Sequence, residues 1–142
     1  MDVELFRAVD CVEYVGPEPR IPALRITITD PVKERTLSST APLDTGFAGY
    51  ILVDQNTYDE FGTAELPREF FGVYRTLAGP VVLKRARVVA RIGEAEFETY
   101  IETPLHGVGK LLIGRRIASK CDIMLLGSKH KLCLVKQPTN PT

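Results

Sequence analysis

The sequence predicts an all-β protein, a closed β-barrel or closed sandwich carrying one or two short helices. Three observations lead there. Apolar residues recur mostly with a period of two, most clearly where Leu24, Ile26 and Ile28 alternate with Arg25, Thr27 and Thr29. Turn signals built from Gly, Pro and Asp punctuate the chain about every ten residues, the spacing of short strands in barrels and sandwiches. Helical punctuation is confined to short stretches, the clearer running from Asp54 to Gly62. The 142 residues suit one domain with a single core, placed at residues 1–135, and the polar, Pro-rich 136–142 is expected to be a flexible tail.

The elements follow in order. Val3 to Val15 is apolar and β-branched and reads as the first strand. Gly16 to Pro22 is a turn by its Gly and Pro content. After the alternating strand from Ala23 to Thr29, Asp30-Pro31 turns the chain. "ERTLSSTAPL" returns as a strand in which Pro42, having no N–H, rules out a regular central ladder. Gly49 to Val53 is a short buried strand. The helix comes next, with Asp54 as N-cap and Gly62 as its stop. "FFGVYRTL", "GPVVLKRARVVARIG" and "AEFETYIETP" read as three more strands separated by glycine. The alternation of the middle one breaks, which predicts a bulge or bend. Gly109 to Gly114 holds a short apolar strand, Arg115 to Cys121 suits one or two helical turns, and "DIMLLGSKHKLCLV" is a hairpin turning at Gly127.

Composition narrows the function. Eighteen basic residues balance eighteen acidic ones, so no net charge draws the chain to nucleic acid or a membrane surface. No run approaches the ~20 apolar residues of a membrane span. The N-terminal stretch lacks the layout of a signal peptide, and a cytoplasmic protein is expected. Cys11, Cys121 and Cys133 are widely spaced and odd in number, with no CxxC pair. They read as reduced, mostly buried thiols, with no metal site and no cofactor. "HGVGK" fails as a phosphate loop: Pro104 stands where the first glycine is needed and Leu111 where Ser or Thr is needed. No GxSxG or HExxH motif occurs.

One tripeptide remains, Asp44-Thr45-Gly46 in "STAPLDTGFAGYILVDQ". A plain turn after a strand is the simplest reading. Its flanks argue for more: Ala41-Pro42-Leu43 leads in, and Phe47, Tyr50, Ile51, Leu52 and Val53 lead out. A carboxylate against apolar neighbours is costly to ionise and is rare without a purpose or a partner.

A second segment, "KLLIGRRIASKCDI", places two apolar residues and Ile-Gly-Arg before a short helix. Together the two stretches resemble the retropepsin-like aspartic proteases, the single-domain relatives of pepsin, over about Ile26 to Val135. The resemblance implies a closed barrel of the acid-protease type and an aspartic endopeptidase. That chemistry uses two nearby carboxylates sharing one proton, which activate a water and polarise the scissile carbonyl. Only one Asp-Thr-Gly is present, so the implied partner is a second copy of the chain, one Asp44 from each subunit.

By the same resemblance Thr45 hydrogen-bonds across the two-fold axis, and Gly46 brings its N–H to the carboxylates. Phe47 and Ala48 line the substrate, and Gly114 packs under the loop with Arg115 tethering it. Thr76, Leu77, Ala78 and Gly79 form the tip of a flap over the peptide. Three residues depart from the pattern: Pro42, Ala48 where the arginine's acidic partner is expected, and Arg116 where Asp or Asn is usual. These departures keep a second function open, a retropepsin-fold binding or assembly module without proteolysis.

Overall fold

The computed structural model describes residues 5–137, so most of the predicted tail lies outside the described residues. In chain order the strands are β1 (Arg7–Glu13), β2 (Ala23–Thr29), β3 (Thr36–Pro42) and β4 (Ile51–Leu52), followed by helix α1 (Gln55–Phe61). Then come β5 (Gly72–Thr76), β6 (Gly79–Ile92), β7 (Ala95–Pro104), β8 (Leu112–Ile113), helix α2 (Arg115–Ala118), β9 (Ile123–Leu126) and β10 (Lys131–Lys136). Two single 3-10 turns lie at Arg68–Phe70 and Gly127–Lys129. The strand-dominated reading therefore holds, as do the two short helices.

The strands form two sheets. The larger runs β3-β2-β6-β7-β4-β8, with β5 added to the first half of β6; the smaller runs β1-β10-β9. Alternation places β2 as expected, with Leu24, Ile26 and Ile28 buried and packed against Val88, Ala90 and Ile101. Helix α1 begins where Asp54 accepts the Thr57 N–H at 2.8 Å and buries Tyr58 and Phe61 against the sheet. It stops at Gly62, where a Cβ would press on the Tyr58 carbonyl oxygen at 2.6 Å.

Three expectations are corrected. Neither sheet closes into a barrel. The ends of the larger sheet approach through a single parallel bridge, Leu43 to Ile113, just beyond β3. Pro42 has no N–H to extend that ladder, and the chain turns away at Asp44-Thr45-Gly46, so the contact stays one residue long. Of the predicted bulge or bend in β6, the bulge is absent: its register with β7 is unbroken from Leu83 to Ile92. The broken alternation marks a change of buried side between Leu83 and Ala86, where β6 leaves β5 and runs against β7. The cysteines are not all reduced. Cys11 and Cys133 face each other across β1 and β10 and are joined by a disulfide, while Cys121 is free. Burial, and then the Asp122 charge, pushes the Cys121 thiol up.

Asp30 does more than turn the chain. It is fully buried, accepts the Val32 N–H at 2.9 Å and takes the Thr63 hydroxyl, which ties the β2–β3 turn to the segment after α1. Burial on its own pushes its carboxyl up. The Thr63 hydroxyl, the N–H groups of Val32 and Lys33 and the Lys33 charge outweigh this and hold it below the ordinary value. A carboxyl lowered by folding stabilises fully above its unfolded pKa and loses that contribution as pH falls through the folded one. Asp30→Ala is therefore expected to cost about 1–3 kcal/mol at neutral pH. Its deficit against wild type should shrink in urea titrations below about pH 4; a deficit that stays constant with pH would contradict this assignment.

Candidate active site

Asp44 sits at the head of a loop whose backbone is fastened to a distant part of the chain. Leu43 is buried before it, and the Asp44 N–H donates to the Ile113 carbonyl at 2.9 Å. Helix α2 has no side-chain cap at its start. The first N–H groups of any helix lack partners inside it. Here the loop supplies them: Gly114 donates to the Tyr50 carbonyl at 2.7 Å, Arg115 to Phe47 at 2.8 Å and Arg116 to Gly49 at 3.1 Å. The seat is tight, since a Cβ on Gly114 would overlap the Gly49 carbonyl and crowd the Phe47 ring. Gly114 thus packs directly against Phe47 and Gly49 of the loop.

Held this way, the Asp44 carboxylate is exposed and its Oδ1 accepts the Gly46 N–H at 2.8 Å. Thr45 is exposed beside it, and Phe47 and Ala48 are half-buried. The hairpin expected to be a flap is formed by β5 and β6, with Leu77 and Ala78 as its two turn residues. The Thr76 hydroxyl donates to the Gly79 carbonyl at 2.7 Å and accepts the Ala78 N–H at 3.2 Å. Gly79 has φ of 109°, a region that favours glycine after a tight turn. Leu77 is fully exposed at the tip. The base of the hairpin touches the Asp44 loop through Tyr74 and Phe47, whose ring centroids lie 5.4 Å apart.

Among solved structures, the chain is similar to the EIAV protease complexed with the inhibitor HBY-793. The TM-score is 0.50 at 16% identity, covering 74% of this chain and 91% of that one. The fold is retropepsin-like. No protein-family model and no curated protein matches the sequence.

Within this retropepsin-like fold, the departures at Ala48 and Arg116 bear on the two arginines after Gly114. Arg115 is exposed and makes no ion pair among the described residues, and Ala48 stands where the resemblance places its acidic partner. Arg116 finds a different partner: its guanidinium stacks 5.4 Å from the centroid of the Tyr50 ring. No cluster of three or more metal-ligating side chains is found among the described residues. One surface cleft lies elsewhere, against Arg7, Asp10, Gly93, Lys120 and Asp122, and holds none of the predicted site residues.

Sequence reasoning missed one group beside the loop. Glu102 on β7 is fully buried, with Arg85 of β6 and Tyr74 of β5 on its carboxylate. Oε2 accepts the Tyr74 hydroxyl at 2.7 Å and the Arg85 Nη2 and Nε at 3.2 and 3.3 Å; Oε1 accepts the Tyr50 N–H at 2.8 Å. Burial on its own would push the Arg85 guanidinium down, but Glu102 and Tyr74 together, by charge and by hydrogen bond, outweigh it and raise it. Burial first, and then Glu102, raise the Tyr74 phenol. The sequence marks it only weakly: apolar Ile101 precedes Glu102, but polar Thr103 follows it.

Proposed function

We propose that this chain is an aspartic endopeptidase that hydrolyses peptide bonds as a homodimer, with one Asp44 from each subunit forming the dyad. The observation that carries the reading is the Asp44 loop. An exposed carboxylate is presented on a backbone laced to Ile113–Arg116, within a retropepsin-like fold. Facing its copy across a two-fold axis, one carboxylate stays protonated because two like charges so close cannot both ionise. The ionised member takes a proton from water, which attacks the scissile carbonyl; the protonated member hydrogen-bonds the carbonyl oxygen. A proton then passes to the leaving amine. Neither a doubly protonated nor a doubly ionised pair can do this, so activity should follow a bell in pH.

The dimer is tested by mixing. With a tenfold excess of Asp44→Asn chains and free exchange of subunits, activity per wild-type chain should fall to about a tenth, because most wild-type chains pair with an inactive copy. Unchanged activity on mixing, with monomers alone in sedimentation, would overturn the shared dyad. A second reading, a retropepsin-fold binding or assembly module, draws on the unpaired state of Arg115 among the described residues. It predicts a dimer that binds peptide without cleaving it.

A further inference from the structure

A continuous line of contacts runs from α2 through the Asp44 loop to the hairpin. Arg116 stacks on one side of Tyr50 and Arg85 approaches the same ring at 5.1 Å, the latter also reaching Tyr100 at 5.5 Å. Arg85 pairs with Glu102, and Glu102 holds Tyr74. The two oxygens of Glu102 divide the work. Oε1 binds the backbone of the loop at Tyr50, whereas Oε2 binds the hairpin strand at Tyr74 and the neighbouring strand at Arg85. Both flanking backbones are shaped around this carboxylate. A Cβ on Gly49 in the loop would lie 2.6 Å from Oε1, and a Cβ on Gly72 in the hairpin 2.7 Å from Oε2.

We propose that Glu102 is a positioning residue that couples the Asp44 loop to the β5–β6 hairpin, so that loosening either element loosens the other. Its catalytic meaning rests on the protease reading of Asp44; the coupling itself is a property of the folded chain. Stability alone does not explain the arrangement, because a buried ion pair is often no more stabilising than apolar side chains of the same volume. A carboxylate does what an apolar side chain cannot: it bonds a loop N–H and a hairpin hydroxyl at once. The Tyr50 backbone is held at both of its polar groups, its N–H by Glu102 and its carbonyl by Gly114. A shift of Glu102 is thereby passed to the backbone that presents Asp44.

The test changes the hairpin and reads the loop. Tyr74→Phe removes the hydroxyl and keeps the ring against Phe47. Amide hydrogen exchange followed by NMR should then quicken about tenfold at the Tyr50 N–H, while the amides of α1 stay unchanged. Arg85→Lys, which keeps the charge and loses the fork, should give the same pattern should Tyr74→Phe fold poorly. On the protease reading, both variants should lower kcat more than they raise KM. Faster exchange confined to β5 and β6, with Tyr50 unaffected, overturns the coupling. If wild type cleaves no peptide yet Tyr50 responds, the coupling stands and the protease reading falls. If wild type cleaves and Tyr50 does not respond, the coupling alone falls.

Discussion

Replacing Asp44 with Asn is expected to reduce peptide hydrolysis by about 10²–10⁴-fold or more while leaving the fold unchanged. The carboxylate is exposed and its one hydrogen bond among the described residues, from the Gly46 N–H to Oδ1, can be kept by the amide oxygen. Buried packing is therefore untouched, and circular dichroism and urea midpoints should coincide. The amide cannot take a proton from water, so the chemical step is lost. A plain turn aspartate behaves differently, because Asn is itself a good turn residue and the change would be silent. The measurement is cleavage of a mixed peptide library at matched concentrations and mildly acid pH. Equal cleavage by both proteins would end the aspartic protease reading, and no cleavage by either would put the binding module ahead.

At Arg85 the large effect should fall on stability. Arg85→Leu leaves Glu102 with no exposed surface and no cation. Removing one partner of a buried pair typically costs about 3–5 kcal/mol, a large share of the 5–15 kcal/mol total of an ordinary domain. Adding Glu102→Leu should recover part of the loss, since the stranded charge goes. It should not recover all of it, because the Tyr50 N–H then has no acceptor, a deficit of about 1–3 kcal/mol. Urea midpoints of the single and double variants decide the matter. A single variant within 1 kcal/mol of wild type, on the scale of an exposed pair, would show that Glu102 is not held as described.

Particular residues show how much of this was legible in the sequence. The strand β2 was plain because Leu24, Ile26 and Ile28 face one core and Arg25, Thr27 and Thr29 do not. Helix α1 was plain because Asp54 and Gly62 punctuate it chemically. Asp44 stood out because its neighbours are apolar on both sides. Glu102 did not, for a physical reason. On β7 it shares a face with Glu98 and Tyr100, and burial along that face rises from exposed Glu98 to buried Glu102. Period two reports which side a residue takes; it does not report what covers that side, and here the cover is the hairpin and the loop. Barrel closure was illegible likewise, since it turns on whether the ladder between Leu43 and Ile113 extends beyond a single bridge. The Cys11–Cys133 bond depends on the pairing of β1 with β10, a register that spacing alone does not supply.

The lacing of the Asp44 loop also sets an order in time. Tyr50 and Glu102 are 52 positions apart, and the other fastenings, at Ile113 to Arg116, come later still. A growing chain thus carries the acid long before it carries the strands and helix that aim it. Contacts between such distant segments form late and slowly, because the loop between them must close first. On the protease reading, a nascent chain is inert until α2 has left the ribosome, and inert again until it meets a finished copy.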